Sequence, residues 1–333
     1  MTPEIKERVE SFYFSVAAIF DAWVNRRKSE HTRRAYRGDV MAFVDFKRWT
    51  WPRDAAQFLR VSILDVQAFK DAMVSDQAAP KTMNRRISSL SSFYKFLGGA
   101  AAELRLPITI PNPAHAQFIA REESDAVEET RALSETRARQ LMGFPSGDSL
   151  LDVRDRAILK FYLYTGARIA TGCKLNVSDF HQDGDEATLR FHIKGGKIKM
   201  KGIHFSAAEA ISEYLRVAKI ESGPLFRPRV SQHSDALAAR RITEQTMYRI
   251  LMGYLRRLPG AVETTQSPSG EVRSVCVYSP HSLRATTATL LLDSSVPIES
   301  VQDLLDHKHI TTTQIYDKRR RSVRDSASHK MPI

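Results

Sequence analysis

Cysteine is almost missing: the 333 residues contain only Cys173 and Cys276. Two thiols cannot make a disulfide framework or a Cys-rich metal site, and both read as packed thiols with no catalytic part. Long apolar runs are missing as well. No stretch approaches the roughly 18 uninterrupted apolar residues that a membrane-spanning helix needs, so no membrane association is expected. The opening segment MTPEIKERVESFYFSV lacks a basic region followed by an apolar run and a small-residue cleavage site, so a cytoplasmic protein is expected. Internal repeats and long low-complexity segments are absent too. Negative charge is in deficit: 50 Lys and Arg stand against 38 Asp and Glu, a net charge of +12 and a pI near 9.7. That excess favours a polyanionic partner, most commonly nucleic acid, although a basic protein without such a partner has the same composition.

What is present suffices for a packed core. Hydrophobic residues make up 42% and charged residues 26%, ordinary for a globular chain and too apolar for a disordered one. Up to about residue 110 the pattern is helical. Phe12, Val16, Ile19, Phe20 and Trp23 recur at helical spacing, as do Tyr36, Val40, Phe43 and Val44. After Pro80, the residues Met83, Ile87, Leu90, Phe93, Tyr94 and Leu97 form one stripe, with Gly98 and Gly99 as the expected stop. Lys81, Arg85 and Arg86 lie in the first turns of that helix, and Arg33, Arg34 and Arg37 open an earlier one. Cations at a helix start oppose its dipole, which points to an outside anion such as a phosphate backbone; a solvated basic face explains either cluster equally well alone.

Pro107, Pro111 and Pro113 then break the pattern, and an acidic stretch follows with Glu122, Glu123, Asp125, Glu128 and Glu129, expected to be an exposed linker. The implied division is an N-terminal helical domain over 1–114, a linker over 115–131, and a second domain over 132–333 that ends in a basic tail. In the second domain, helices are expected near Ser134–Met142, Val153–Tyr164, Ala207–Ala218 and Thr243–Leu258. Further helices should begin at Pro280, at Ile298 and just after the threonines at 311 to 313. Alternating segments at Ala187–Ile193 and Lys199–Phe205, with Gly195 and Gly196 between them, predict a small hairpin or sheet. The fold class is therefore mainly α with a small β-sheet.

Four pieces carry residues suited to chemistry. In YSPHSLRATTATLLLD, Ser279 is a good N-cap and Pro280 fits the first helical position, so His281 and Arg284 point the same way. Arg offers a planar fork to phosphate oxygens and His can move a proton; alone, the pair is more often a surface pair. In IESVQDLLDHKHITTTQIYDKRRR an amphipathic helix ends near His307. Tyr316 is expected on a short helix capped by the threonine run, beside Asp317, Lys318, Arg319, Arg320 and Arg321. A lone Tyr in such a place is usually structural, yet this setting would hold a phenol near a phosphate backbone. In FYLYTGARIATGCKLNVSDF, Arg168 follows a helix end at which Gly166 supplies the turn. In FHIKGGKIKMKGIHF, Lys194, Lys197, Lys199 and Lys201 surround a Gly-Gly tip, and such a hairpin can enter a DNA groove.

In this order, TGARI, IKGGK, PHSLRATTAT and LLDHKHITTTQIY resemble the tyrosine recombinase (phage integrase) family. HTRRAYRGDV and PKTMNRRISSLSSFYKFL look like helices of that family's core-binding domain, and IPNPA like the stretch leading out of it. The resemblance implies a two-domain DNA clamp whose mixed α/β catalytic domain carries Arg168, Lys194, His281, Arg284, His307 and Tyr316. It implies site-specific recombination through a 3′-phosphotyrosyl intermediate, serving integration, excision or resolution, on double-stranded DNA with inverted repeats and as a homo-tetramer on two sites. No cofactor, metal or ATP is implied, and no P-loop or carboxylate cluster is seen. DNA contacts are expected from Arg33, Arg34, Arg37, Lys81, Arg85, Arg86 and Lys197, with Gln245 and Arg249 as candidate base readers. Lys197 is the alternative to Lys194 as general acid. Two positions depart from the family pattern: Thr171 stands where an acidic residue is usual, and Asp306 where a Gly commonly precedes the His. A DNA-binding relative that no longer cuts and a type IB-like topoisomerase are the competing readings.

Overall fold

The computed structural model describes residues 2–123, 130–184, 186–192, 198–266 and 272–317. The chain divides into two compact units, Met1–Ala126 and Val127–Ile333.

The first unit is built from α1 (Pro3–Asn25), α2 (Glu30–Phe46), α3 (Ile63–Ser75) and α4 (Pro80–Glu103). Local sequence sets the starts: Ser62 and Asp65 form a reciprocal capping box on α3, and Pro80 takes the first position of α4. The apolar stripes meet in an aromatic core, where Phe20, Trp23, Phe58, Phe93 and Tyr94 are buried and the rings of Phe20 and Phe93 lie edge to face at 5.4 Å. Two expectations change here. Helix α4 does not stop at Gly98 and Gly99 but runs through them to Glu103, because its continuation still buries Ala101. The stretch after residue 114 does not begin as a free linker either. Ile119 is buried, Lys70 donates to the Ala120 carbonyl at 2.7 Å and pairs with Glu122 at 2.7 Å, and Asn84 bonds the Glu122 backbone both ways.

The second unit holds α5 (Glu135–Gly143), α6 (Leu150–Thr165), α7 (Ile169–Lys174), α8 (Phe205–Val217), α9 (Glu244–Leu255), α10 (Pro280–Asp293), α11 (Ile298–Leu305) and α12 (Ile310–Gln314). Three antiparallel strands, β1 (Phe180–Asp183), β2 (Glu186–His192) and β3 (Ile198–Gly202), form one sheet in that order. The expected hairpin is its second half, with Leu189 opposite Lys201 and His192 opposite Ile198. Along β2, Ala187, Leu189 and Phe191 face inward, and Leu189 and Phe191 join α6 and α8 in the core. Strand β1 and a second ribbon, β4 (Val262–Gln266) with β5 (Val272–Cys276), were not anticipated, since each strand is only four or five residues long.

Candidate active site

Helix α6 ends at Gly166, whose φ of +58° is left-handed. A Cβ there would run into Leu305 and Thr287, so this turn is pressed against both α10 and α11. The close approach throws Arg168 out at the N-cap of α7, exposed. Among the described residues the Arg168 side chain makes no hydrogen bond or ion pair, and Thr171 contributes only its backbone N–H to the Arg168 carbonyl, at 2.9 Å. The charge of Arg168 nevertheless acts on His281, Arg284, His307 and Tyr316, which places all five in one field.

At the start of α10, Ser279 is the N-cap residue and its N–H donates to Ser282 Oγ at 3.0 Å. His281 is exposed there, while Arg284, one turn on, is only 3% exposed. Arg284 is not a free fork. Its Nη1 donates to the Gly166 carbonyl at 2.7 Å and its Nη2 to the Leu305 carbonyl, so one guanidinium ties the Arg168 turn to the His307 turn. Its Nε is buried without a partner among the described residues, a costly state unless another acceptor reaches it. Burial first, then the neighbouring Arg168, lowers the Arg284 pKa to about 10, which still leaves it charged at neutral pH.

Helix α11 ends in Asp306, also left-handed at φ +53°, and the His307 N–H returns to the Gln302 carbonyl at 3.1 Å. The His307 ring packs inside, with Nδ1 2.9 Å from Thr313 Oγ1. Desolvation, followed by the charges of Arg284 and Arg168, pushes its pKa down to about 4. The threonine run was expected to cap the last helix; it lies within α12 instead, His309 holds the N-cap position, and Tyr316 follows the helix end, its N–H bonded to the Thr313 carbonyl at 3.0 Å. The inward face of that run, Thr313, is wholly buried because His307 needs it.

Tyr316 is 9% exposed. Its ring packs with Ala285, Ala288, Leu292, Val301 and Leu305 and stacks near His307 at 6.1 Å. Its Oη lies 3.3 Å from His281 Nε2. Burial raises the phenol pKa, and the two arginines partly offset this. His281 is moved down from 6.5 by partial desolvation and by Arg284 and Arg168. A neutral imidazole thus faces a protonated phenol beside two guanidiniums.

Lys194 and Lys197 lie outside the described residues, as does the basic tail from Lys318. Gln245 and Arg249 share an exposed face of α9, which Thr243 caps by accepting from the Thr246 N–H at 3.2 Å. In the first unit Lys81 is exposed and Arg33 and Arg86 are half-buried; Arg34 pairs with Glu30 at 3.3 Å, Arg37 with Asp21 at 2.6 Å, and Arg85 with the buried Asp39 at 2.6 Å. Glu30 occupies the first turn of α2, so the dipole argument applies to Lys81 on α4 and not to Arg33 and Arg34. The sequence reading missed Lys199, Lys201, Asp303 and Asp306 as a joined ion cluster; the signal was an acid where Gly is common, beside a lysine-rich strand. Among the described residues no group of three or more His, Cys, Asp or Glu could hold a metal ion, and Cys173 is a buried thiol whose pKa burial pushes up to about 12.

Residues 131–322 match the phage integrase family, and residues 21–99 match its N-terminal SAM-like domain. The chain belongs to the phage integrase family. The chain is 29% identical over 304 residues to the tyrosine recombinase XerD of Lacticaseibacillus casei, covering 88% of this chain and 89% of that one. It is 28% identical over 324 residues to the XerC of Roseiflexus sp. (strain RS-1), covering 94% and 89%. Its fold is that of the XerH site-specific recombinase in a post-cleavage complex with a palindromic difH substrate, with a TM-score of 0.67 at 13% identity over 92% and 93% of the two chains. A lambda integrase dimer bound to a COC′ core site gives 0.63 at 16% identity over 97% and 84%. Among the described residues, no helix is long and apolar enough to cross a membrane.

Proposed function

We propose that this chain is a site-specific DNA recombinase that cuts with Tyr316. The observation that carries the reading is the Tyr316 Oη, 3.3 Å from His281 Nε2, in the field of two arginines that form no ion pair among the described residues.

Phosphodiester cleavage requires a nucleophile, neutralisation of the non-bridging oxygens and a proton for the leaving oxygen. The phenol, protonated at neutral pH, passes its proton to neutral His281 as Oη attacks phosphorus. The bond to the 5′-oxygen breaks, and that oxygen takes a proton from Lys194, with Lys197 as the alternative. A 3′-phosphotyrosyl link and a free 5′-hydroxyl result, and reversal on a new 5′-hydroxyl rejoins the strands. Arg168, exposed and with no side-chain partner among the described residues, meets the phosphate directly; Arg284 contributes its Nε, also without a partner among the described residues, and its charge from beneath. In the tautomer in which Thr313 Oγ1 donates to His307 Nδ1, 2.9 Å away, the ring proton sits on Nε2, ready for a non-bridging oxygen. The phosphotyrosine conserves the bond energy, so the scheme includes neither ATP nor a metal ion.

The N-terminal unit serves as the core-binding domain on double-stranded DNA, with Lys81 and Arg86 on phosphates, while Gln245 and Arg249 on α9 of the second unit meet base edges. The reading extends to a homo-tetramer acting on two inverted-repeat sites in the cytoplasm; a lambda integrase tetramer described on a Holliday junction supports the tetramer, and XerH described on a palindromic difH substrate supports the inverted repeats. The test is a nicked duplex carrying a site selected from a random-sequence pool. Wild type is expected to form a covalent protein–DNA complex and Tyr316→Phe none. A wild type that binds but never becomes covalent overturns the reading in favour of a silent binder. Covalent attachment without strand exchange between two sites favours a topoisomerase.

A further inference from the structure

The cations of β3 are not arrayed for an outside partner. Lys201 is 9% exposed, beneath the ring of Phe191 at 5.4 Å. Its Nζ meets Asp306 Oδ2 at 2.7 Å and the carbonyls of Leu304 and Asp303, the latter at 3.3 Å. Lys199 joins from the rim, 2.6 Å from Asp303 and 3.3 Å from Asp306. The next carbonyl along, that of Leu305, is taken by Arg284. Consecutive carbonyls of the last turn of α11 are therefore held by Lys201 and by Arg284, both at the negative end of the helix dipole.

Asp306 explains why this arrangement exists. Its left-handed backbone, φ +53°, suits Gly, and an aspartate there is conformationally disfavoured. The carboxylate gains a buried ammonium in return, and a buried ammonium without a carboxylate would be unfavourable in its turn. His307 is the next residue.

We propose that Lys201 is a positioning residue for strand cleavage: clasped by Asp306, it seats the end of α11 and so sets where Arg284 and His307 stand. The proposal rests on the recombinase reading above. It also gives β3, the strand that follows directly on the segment bearing Lys194, a fixed tie to the segment bearing His307 and Tyr316.

The experiment measures single-turnover cleavage of the selected nicked duplex by the full chain at saturating DNA, with DNA affinity and Tm alongside. Lys201→Met, which keeps the stem and loses the charge, is expected to slow cleavage about tenfold with affinity within about twofold of wild type. Lys201→Met with Asp306→Gly, which removes both charges and relieves the backbone, is expected to return to within about threefold of wild type. Tyr254→Phe, which breaks a 2.9 Å bond to Asp155 elsewhere in the same unit, controls for ordinary loss of stability and is expected to cleave normally. Lys201→Met cleaving at the wild-type rate overturns the proposal and leaves the functional reading intact. So does a double variant as slow as Lys201→Met, or a Tyr254→Phe slowed equally. A wild type that forms no covalent complex overturns the functional reading and the proposal together.

Discussion

The two basic regions of this chain treat their cations in opposite ways. On the N-terminal unit, Arg34, Arg37 and Arg85 each have a carboxylate within 3.3 Å, so their charge is largely balanced at home. In the catalytic unit, Arg284 is buried against carbonyl oxygens and Arg168 has no acidic partner among the described residues. Uncompensated guanidiniums are held there by the folding energy of the domain, which makes the site electrostatically incomplete without an anion. Charge on a surface attracts DNA; charge frozen into a core can act on one phosphate.

On that contrast the largest effects come from these two cations, the exposed Arg168 and the buried Arg284. Arg168→Ala and Arg284→Ala should each lose covalent-complex formation by about a thousandfold while retaining DNA binding. Only Arg284→Ala should also lose stability, by about 3 kcal/mol for two charge-assisted bonds to buried carbonyls. Urea unfolding of both variants checks this, and equal stability would mean that Arg284 does not bind the turns together. Gly166→Ala comes next. It forces a side chain into a left-handed position, a cost of about 1–2 kcal/mol, and against Leu305, so both Tm and cleavage rate should fall.

Protonation gives a smaller, graded effect. His307 titrates near 4 when folded and near 6.5 when unfolded. The unfolded chain therefore binds more protons between those values, and stability should decline as pH falls through 6.5 toward 4. His307→Gln should flatten that decline in a Tm series; an unchanged slope would place the titration elsewhere. Cleavage should hold its rate above pH 6.5 and drop below the lowered pKa of His281, as the base becomes charged. The smallest effect belongs to the balanced surface. Arg37→Ala should change stability by no more than about 1 kcal/mol, and it should weaken DNA binding evenly across sequences, lowering the salt slope by at most about one phosphate.

Much of this was readable in advance. The stripes of α1, α2 and α4 are periodic enough to name their buried residues, and the start of α10 is written in Ser279 and Pro280. Motif order singled out Arg168, His281, Arg284, His307 and Tyr316, which the fold brings into one field. Local punctuation misled in places: Gly98 and Gly99 were overridden by packing beyond them, and the threonine run became a helix interior because Thr313 has a buried histidine to meet. Strands β1, β4 and β5, four or five residues each, are too short to carry a periodic signal.

Sequence alone determined which groups are available and which helices present them, since caps, stripes and motif spacing act over a few residues. Tertiary structure decided what each group does. Arg284 binds carbonyls of residues 166 and 305, and Lys201 meets Asp306, only because distant turns are pressed together in a core that excludes water. Burial there makes every unpaired charge costly, and that cost, invisible in local spacing, selects the partners.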